Sequence, residues 1–317
     1  MSLTSVEMCA GAGGQALGLE KAGFDHEALV EIESPFCLTL KTNRPQWNVH
    51  NLDLKDFDGR PYKGVDLLAG GLPCPPFSIA GKQLGKDDER DLFPTAIRLI
   101  NEIKPRAIMI ENVKGLLSPS FGDYREYILG QLKKMGYTAE WKLLNASSFG
   151  VPQLRPRAIL VGLQKNYSGM FSWPEPLKTP PRSVGEVLHD LMAENGWRGA
   201  KAWSKKANRI APTVVGGSKK HGGPDLGPTR ARQAWAELEV DGLGLANEAP
   251  DINFKGMPRL TVRMVARLQG FPDDWQIAGR KTVSYRQVGN AFPPPVAQAV
   301  AEQIMQCLQP KQRKIAV

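Results

Sequence analysis

Short apolar runs alternate with amphipathic segments over the first 163 residues. "TSVEMC", "HEALVEIE", "VDLLAGG", "RAIMIEN" and "AILVGL" are typical of buried strands. Apolar residues at 92, 93, 96, 97, 99, 100 and 103 predict an amphipathic helix over residues 92–103. Strands that alternate with helices indicate an α/β fold with a doubly wound, mostly parallel sheet, which binds ligands beyond the carboxyl ends of its strands.

The pattern changes between residues 164 and 258, where Gly and Pro become frequent and the strand and helix periods are lost. We interpret this segment as a smaller, irregular second domain. Amphipathic character returns after residue 258, and a final helix over residues 295–308 carries apolar residues at i, i+4 spacing on one face. That face needs an apolar partner, so we expect residues 259–317 to return to the first domain, 1–163, and to pack on its sheet.

The positive charge of the chain is concentrated in one stretch. The formal net charge is +9, and residues 196–232 contain nine Lys or Arg and a single acid, Asp225. The following 22 residues contain five acids and no base. Because a solvated surface mixes the two signs more evenly, this bias favours a polyanionic partner such as nucleic acid, with a basic surface loop as the alternative.

The four cysteines, Cys9, Cys37, Cys74 and Cys307, lie far apart and form no CxxC pair. Such spacing is typical neither of a zinc site nor of a disulfide framework, and it fits a reducing compartment. No apolar run approaches the roughly 18 residues that a membrane helix needs, and the first residues do not resemble a signal peptide. We therefore expect a cytoplasmic monomer that binds no metal and no membrane.

A glycine-rich turn, "EMCAGAGG", follows the first predicted strand. Gly11, Gly13 and Gly14 would let the backbone approach a ligand closely, and Glu31 and Asp53 follow the next two strands. A turn of this kind with an acid about 20 residues later describes an adenosine-shaped pocket, which dehydrogenases also use. Turn glycines with solvated acids are the alternative.

Two further motifs place reactive side chains at predicted strand ends. Cys74 stands on a proline-rich turn, "GGLPCPPFS", which suits an exposed thiol as well as a small buried one. Glu111 and Asn112 follow the apolar run "IMI". A carboxyl at the end of a buried strand is costly unless it is partnered or functional, so Glu111 is a candidate acid, with a helix cap or a turn residue as the alternative.

A third motif, "FGVPQLRPRAILVG", places Gln153, Arg155 and Arg157 at alternate positions that enter a strand. Because successive side chains of a strand point to opposite faces, these three lie on one face, where two arginines could bind a carboxylate or a phosphate. A salt-bridged strand edge would explain the spacing equally well.

Taken in order, "EMCAGAGG", "LPCPPFS", "ENV", "QLRPR", "RLTVRMVARLQGFPDDW" and "QVGNAFPPPVAQAV" resemble the cytosine-C5 DNA methyltransferases. The match covers residues 4–163 and 259–308, about two-thirds of the chain. It implies a Rossmann-like methyltransferase fold, and it places residues 164–258 where that family carries its target recognition domain. The resemblance thus favours double-stranded DNA as the partner and bacterial restriction-modification as the context.

The resemblance also implies catalytic roles. In that family the cysteine of the Pro-Cys turn attacks C6 of a cytosine that is flipped out of the duplex, so Cys74 would be the nucleophile. Glu111, beside Asn112, would protonate N3 of the ring, which allows C5 to take the methyl group and then lose its proton. Arg155 would fix the base and Glu111, and Arg157 would be structural support. Residues 78–90 would form a mobile loop that closes over the base.

The implied cofactor is S-adenosylmethionine, which leaves as S-adenosylhomocysteine. The residues implied to bind it are Gly11, Ala12, Gly13, Gly14, Glu31, Ile32, Asp53, Leu54, Leu92, Asn290 and Ala291.

The sequence departs from the family pattern at two positions. Pro75 follows the cysteine where Gln is commonest, and Cys9 stands where a Phe usually contacts adenine. An enzyme of the same chemistry acting on tRNA and a non-catalytic DNA-binding relative are alternatives. A nicotinamide dehydrogenase would explain the glycine-rich turn but leaves "LPCPPFS" without a role.

Overall fold

The computed structural model describes residues 2–73, 91–216 and 223–309. Within these ranges a seven-stranded sheet has the strand order β3-β2-β1-β4-β5-β7-β6. The chain order reverses between β1 and β4, which is the position where doubly wound sheets open a ligand crevice. The strands are β1 (Leu3–Met8), β2 (Phe24–Glu31), β3 (Val49–Asn51), β4 (Leu67–Gly71), β5 (Ala107–Val113), β6 (Tyr137–Asn145) and β7 (Pro156–Gln164).

The predicted mostly parallel sheet is confirmed, with one reversed strand. Strands β1 to β5 pair in parallel, whereas β7 runs antiparallel to both β5 and β6. The reversal brings the first residues of β7 to the edge where the parallel strands end. In the β5–β7 register, Asn112 lies opposite Ala158 and Val113 lies opposite Arg157. The motif with Arg155 and Arg157, at the start of β7, therefore lies at the same edge of the sheet as the motifs that follow the parallel strands.

Helices cover both faces of the sheet. Alternate strand residues such as Leu68 and Ile108 pack with helices α3 and α4, while Ala69 and Met109 pack with α1 and α11. The helix predicted over residues 92–103 forms as α3, with Leu92 at its N-cap. These four helices are α1 (Gly14–Ala22), α3 (Phe93–Ile103), α4 (Gly122–Lys134) and α11 (Pro294–Leu308).

The apolar face of the last helix packs as the periodicity predicts. Val296, Val300, Ile304 and Leu308 are buried in the cluster that also holds Ala69 and Met109 of the sheet. A Cβ added to Gly18 of α1 would lie 2.5 Å from Ala297 Cβ, so this glycine is needed for the close approach of α1 and α11. The chain after residue 258 thus returns to the sheet.

The remaining helices complete the described chain, and the first of them packs against β2 and β3. They are α2 (Ser34–Asn43), α5 (Lys165–Ser168), α6 (Val184–Ala193), α7 (Ala200–Lys206), α8 (Thr229–Ala236), α9 (Val262–Leu268) and α10 (Lys281–Asn290). A continuous apolar cluster joins Trp203 and Trp235 of the irregular segment to Trp275 and to Leu17 of α1. Among the described residues, no helix is long and apolar enough to cross a bilayer.

Candidate active site

A glycine-rich turn follows β1 at the carboxyl edge of the sheet. Gly11 has a φ of 58° and Gly13 a φ of 81°, left-handed values that glycine adopts without strain. Among the described residues beyond its chain neighbours, a Cβ at Gly11 would come within 4 Å of one atom, the Cys9 carbonyl oxygen at 3.9 Å. The backbone of this turn is therefore open to the close approach of a ligand.

The Glu31 carboxylate holds this turn against the end of β2. Its Oε2 accepts a hydrogen bond from the Gly11 N–H at 2.7 Å, and its Oε1 accepts one from the Glu33 N–H at 2.9 Å. Burial raises the pKa of Glu31, and the two backbone bonds oppose that rise. Glu31 thus lies directly against the turn, as the predicted pocket requires.

Other residues predicted to bind the cofactor lie at three neighbouring segment ends. Ile32 directly follows β2 and is 58% exposed, which is unusual for a large apolar side chain. Asp53 follows β3 and caps a short 3-10 turn by accepting from the Lys55 N–H at 2.9 Å, while Leu54 is buried. Leu92 lies at the start of α3. Because β2 and β3 are adjacent and parallel, Ile32 and Asp53 share one edge of the sheet.

The C-terminal segment reaches the glycine-rich turn from the other side. Asn290 ends α10, and Ala291 follows it. The next carbonyl oxygen, that of Phe292, would lie 2.2 Å from a Cβ at Gly14, so the first residue of α1 must be a glycine. The structure therefore brings residues 290–292 against a turn almost 280 positions earlier in the chain.

Trp275 contacts the turn, although the sequence analysis assigned it no role. Its indole Nε1 donates to the Ala12 carbonyl oxygen at 3.0 Å, and its ring lies 3.0 Å from the position of a Cβ at Gly13. The sequence signal was the place of this residue in "RLQGFPDDW", one of the motifs that carry the resemblance. Trp275 supports the turn from behind.

Glu111 is buried at the end of β5 and forms an ion pair. Its Oε1 lies 2.7 Å from Nε of Arg157, and both side chains are largely shielded from solvent. Burial raises the pKa of Glu111, whereas the charges of Arg157 and Arg155 lower it. Because burial has the larger effect, this carboxyl retains a proton at higher pH than an exposed Glu does.

The two arginines make contacts that differ from those predicted for them. Arg157, expected to be structural support, makes the ion pair with Glu111 because β5 and β7 are paired in register there. Arg155 was expected to fix Glu111, yet its guanidinium donates to the carbonyl oxygens of Val214, Gly289 and Ala291 at 2.8–2.9 Å. The assignment of Arg155 as the direct partner of Glu111 is therefore corrected.

Gln153, just before β7, also connects to the irregular segment at Val214 and to the C-terminal part of the chain. Its Nε2 donates to Gln269 Oε1 at 2.8 Å, and its Oε1 accepts from the Val214 N–H at 2.8 Å. Gln269 in turn donates to the Val288 carbonyl oxygen at 2.7 Å. This buried amide network, with Arg155, connects the start of β7 to the irregular segment and to α10, and the sequence analysis did not anticipate Gln269.

Asn112 connects β5 to the segment that leads into the Pro-Cys turn. Its Nδ2 donates to the Leu72 carbonyl oxygen at 3.4 Å, and Gly71 of β4 is the register partner of Glu111. Cys74 itself, with the predicted loop of residues 78–90, lies outside the described residues. The described chain thus brings the strand that precedes Cys74 directly beside Glu111.

The acidic stretch folds back onto part of the basic one. Lys206 pairs with Glu239 at 3.2 Å, and Arg209 pairs with Glu237 at 2.9 Å. Both ion pairs are largely exposed, so each contributes little to stability, but each offsets a positive charge. Lys219 and Lys220 lie outside the described residues. Within the described ranges, no three His, Cys, Asp or Glu side chains lie close enough to hold a metal ion.

Comparison with known sequences gives matches along almost the whole chain. The model of the C-5 cytosine-specific DNA methylase family matches residues 3–306. The Type II methyltransferase M.NgoMIV of Neisseria gonorrhoeae is 57% identical over 311 residues, which are 97% of this chain and 99% of that protein. The Type II methyltransferase M.NaeI of Lentzea aerocolonigenes is also 57% identical, over 97% of this chain and 76% of that protein.

Solved structures share the fold at low sequence identity. A protein encoded within an E. coli prophage, described as a DNA modification methyltransferase, superposes with a TM-score of 0.70 at 23% identity, covering 97% of this chain and 99% of that chain. A mutant of Spodoptera frugiperda DNMT2 gives 0.66 at 19% identity, covering 96% of this chain and 100% of that chain. These two comparisons establish the fold alone.

Proposed function

The chain belongs to the C-5 cytosine-specific DNA methylase family, and we propose that it transfers a methyl group from S-adenosylmethionine to C5 of cytosine in duplex DNA. The observation that carries the proposal is the buried Glu111–Arg157 pair, set beside the strand that leads into the Pro-Cys turn. A carboxyl of this kind is suited to binding and protonating a heterocycle. The Type II relatives further support a place in a bacterial restriction-modification system.

The proposed reaction uses Cys74 and Glu111 together. The Cys74 thiolate forms a bond from Sγ to C6 while the proton of Glu111 passes to N3, which makes C5 nucleophilic. S-adenosylmethionine, when bound, supplies the methyl group on a positively charged sulfur. C5 then loses its proton to a base, the bond from C6 to Sγ breaks, and the N3 proton returns to Glu111. Arg157 holds the carboxyl in place throughout.

The residues at the glycine-rich turn fit an adenosine cofactor. The open space at Gly11 permits close approach to the backbone, and the Glu31 carboxylate borders it as an acceptor for ribose hydroxyls. The exposed Ile32 side chain next to it offers an apolar surface for a purine ring. Asp53, Leu54, Leu92, Asn290 and Ala291 are proposed to complete the site, together with the backbone of Ala12, Gly13 and Gly14.

Replacing Glu31 by Ala should weaken S-adenosylmethionine binding at least tenfold. The change removes a charged acceptor for the ribose hydroxyls, and such hydrogen bonds contribute roughly 1.5–3 kcal/mol each. It also removes the acceptor of the Gly11 N–H and so loosens the turn. Calorimetric titration with the cofactor measures the effect. Glu27→Ala, on the exposed part of the same strand, is the matched control and should leave affinity unchanged; equal affinities for both variants would place the ribose elsewhere.

Residues 164–258 are proposed to recognise the target sequence. Supporting this are their basic stretch and the bonds of Arg155 and Gln153, which tie Val214 to the active-site edge. A DNA substrate in a bacterial system would place the enzyme in the cytoplasm. One flipped base occupies one active site, so we propose that the chain acts there as a monomer.

The lysine pair Lys219 and Lys220 is expected to contact DNA phosphates. The logarithm of DNA affinity falls with the logarithm of salt concentration, and each phosphate neutralised on duplex DNA makes this slope steeper by about 0.9. The double Ala variant should therefore have a slope that is shallower by up to about two units. DNA binding measured against salt concentration tests this. Lys133 and Lys134, an exposed pair at the end of α4, provide the matched double variant. Coincident slopes for wild type and the Lys219/Lys220 variant would show that this pair does not touch phosphate.

The function itself is tested by transfer of a tritiated methyl group to duplex DNAs of differing composition and to tRNA. Bisulfite sequencing of the product would then locate the methylated cytosine. Incorporation into duplex DNA at a defined sequence supports the proposal. Incorporation into tRNA alone, or into neither, would refute it.

A further inference from the structure

Gln15, the second residue of α1, buries an unpartnered carboxamide next to the proposed active site. The residue is 3% exposed, and among the described residues neither its Oε1 nor its Nε2 has a hydrogen-bond partner. A buried amide without partners destabilises the folded protein, since its hydration is lost and not replaced. A residue kept at such a cost is a candidate for a role in function.

The position of Gly71 shows where this carboxamide lies. A Cβ at Gly71 would stand 3.3 Å from Glu111 Oε2 and 4.0 Å from Gln15 Oε1. The carboxyl of Glu111 and the amide of Gln15 therefore border the same small space above β4, which stays open because residue 71 has no side chain. Glu111 Oε1, by contrast, faces Arg157.

Glu7 extends this group of polar side chains beneath the glycine-rich turn. It lies on β1 opposite Ala69, two residues along β4 from Gly71, and it is 1% exposed. Among the described residues its Oε2 has no hydrogen-bond partner. Burial raises the pKa of Glu7 well above its usual value. The backbone of Ala16, the residue after Gln15, partly opposes this rise, so Glu7 is a second buried polar group near Gln15.

We propose that Gln15 is a positioning residue for Glu111, whose carboxyl it holds through one water molecule. The inference rests on the proposed function, in which Glu111 alternates between acid and carboxylate. A carboxamide suits both forms, because Oε1 can accept from a water that donates to the carboxylate and Nε2 can donate to a water that accepts from the carboxylic acid. Among the described residues, the charged groups that also face Glu111 are Arg157 and Arg155, and both are cations that cannot change their protonation with it.

Gln15→Met tests this role, since Met has nearly the shape of Gln but forms no comparable hydrogen bond. We expect the single-turnover rate constant of methyl transfer to fall roughly tenfold through lost orientation of Glu111. Loss of a donor to the carboxylate should raise the pKa of Glu111, so the limb where the rate falls with pH should move up by about one unit. The melting temperature should not fall, because a buried unpartnered amide is removed.

Ser5→Ala is the matched control, because Ser5 lies on the same face of β1 as Glu7. It removes the partly buried hydrogen bond from Ser5 to His26 and should lower the melting temperature while leaving the rate and its pH profile unchanged. A Gln15→Met enzyme with the wild-type rate and pH profile would overturn the inference. The inference would also be overturned if the variant bound S-adenosylmethionine more weakly but kept the wild-type pH profile. Gln15 would then contribute to cofactor binding. If the wild-type chain itself transfers no methyl group, the proposed function fails instead.

Discussion

Replacement of Cys74 by Ser should abolish methyl transfer while S-adenosylmethionine binding persists. Attack on C6 needs a nucleophile that ionises near neutral pH, and a serine hydroxyl does so far less readily than a thiol. We expect the rate constant to fall by at least about a thousandfold, since the alternative path lacks the covalent step altogether. The proposed cofactor site uses other residues, so the affinity for S-adenosylmethionine should be unchanged.

Single-turnover transfer of tritiated methyl groups and calorimetry with the cofactor measure the two properties separately. Cys307→Ser is the matched control, because the Cys307 thiol of α11 donates to the Gln303 carbonyl oxygen at 3.2 Å and a serine hydroxyl can do the same. The control should retain wild-type activity. Near-normal turnover by the Cys74 variant would remove the nucleophile from the proposed reaction.

The sequence predicts the sheet well because its signal is local. Apolar runs and helical spacing lie within ten or so residues, and they place β1, β2, β4 and β5 and helix α3 close to where they form. The direction of β7 has no comparable signal, since strand polarity depends on which neighbour the strand joins. The local pattern therefore indicates strands but leaves their pairing open.

The arginine assignment failed for the same physical reason. Arg155 and Arg157 are two positions apart and look equivalent in the sequence, but only the register of β7 against β5 sets Arg157 against Glu111. Arg155 meets carbonyl oxygens 59 to 136 residues away. Contacts of that range depend on tertiary packing, which spacing alone does not encode.

The pairing of charged side chains is likewise not predictable from the sequence alone. The basic and acidic stretches are separate blocks in the sequence, yet Arg209 with Glu237 and Lys206 with Glu239 bring them together. Gln15 is a related case, because a single Gln at the start of an apolar helix carries no sequence signal of function. Its significance follows from the distances to Gly71 and from its lack of partners.

Replacement of Glu111 by Gln should reduce the single-turnover rate of methyl transfer by about 10²–10⁴-fold, the usual contribution of a positioned acid. Gln has the shape of Glu and can still bind the base, but it cannot deliver a proton to N3. In the wild type, burial raises the pKa of Glu111, so the rate should fall as pH rises through that value and the acid is lost. A carboxamide does not titrate, and this falling limb should disappear in the variant.

Two measurements are made: the pH dependence of the rate, and the melting temperature as a check on folding. Together they distinguish Glu111 as the acid from Glu111 as a structural ion-pair partner of Arg157. Glu126→Gln, an exposed position on α4, makes the same chemical change away from the site and should behave as wild type. If the Glu111 variant lost activity only through lower stability, its rate on the folded fraction would match the wild type and keep the falling limb. That result would leave Glu111 as a partner of Arg157 and require another proton donor to N3.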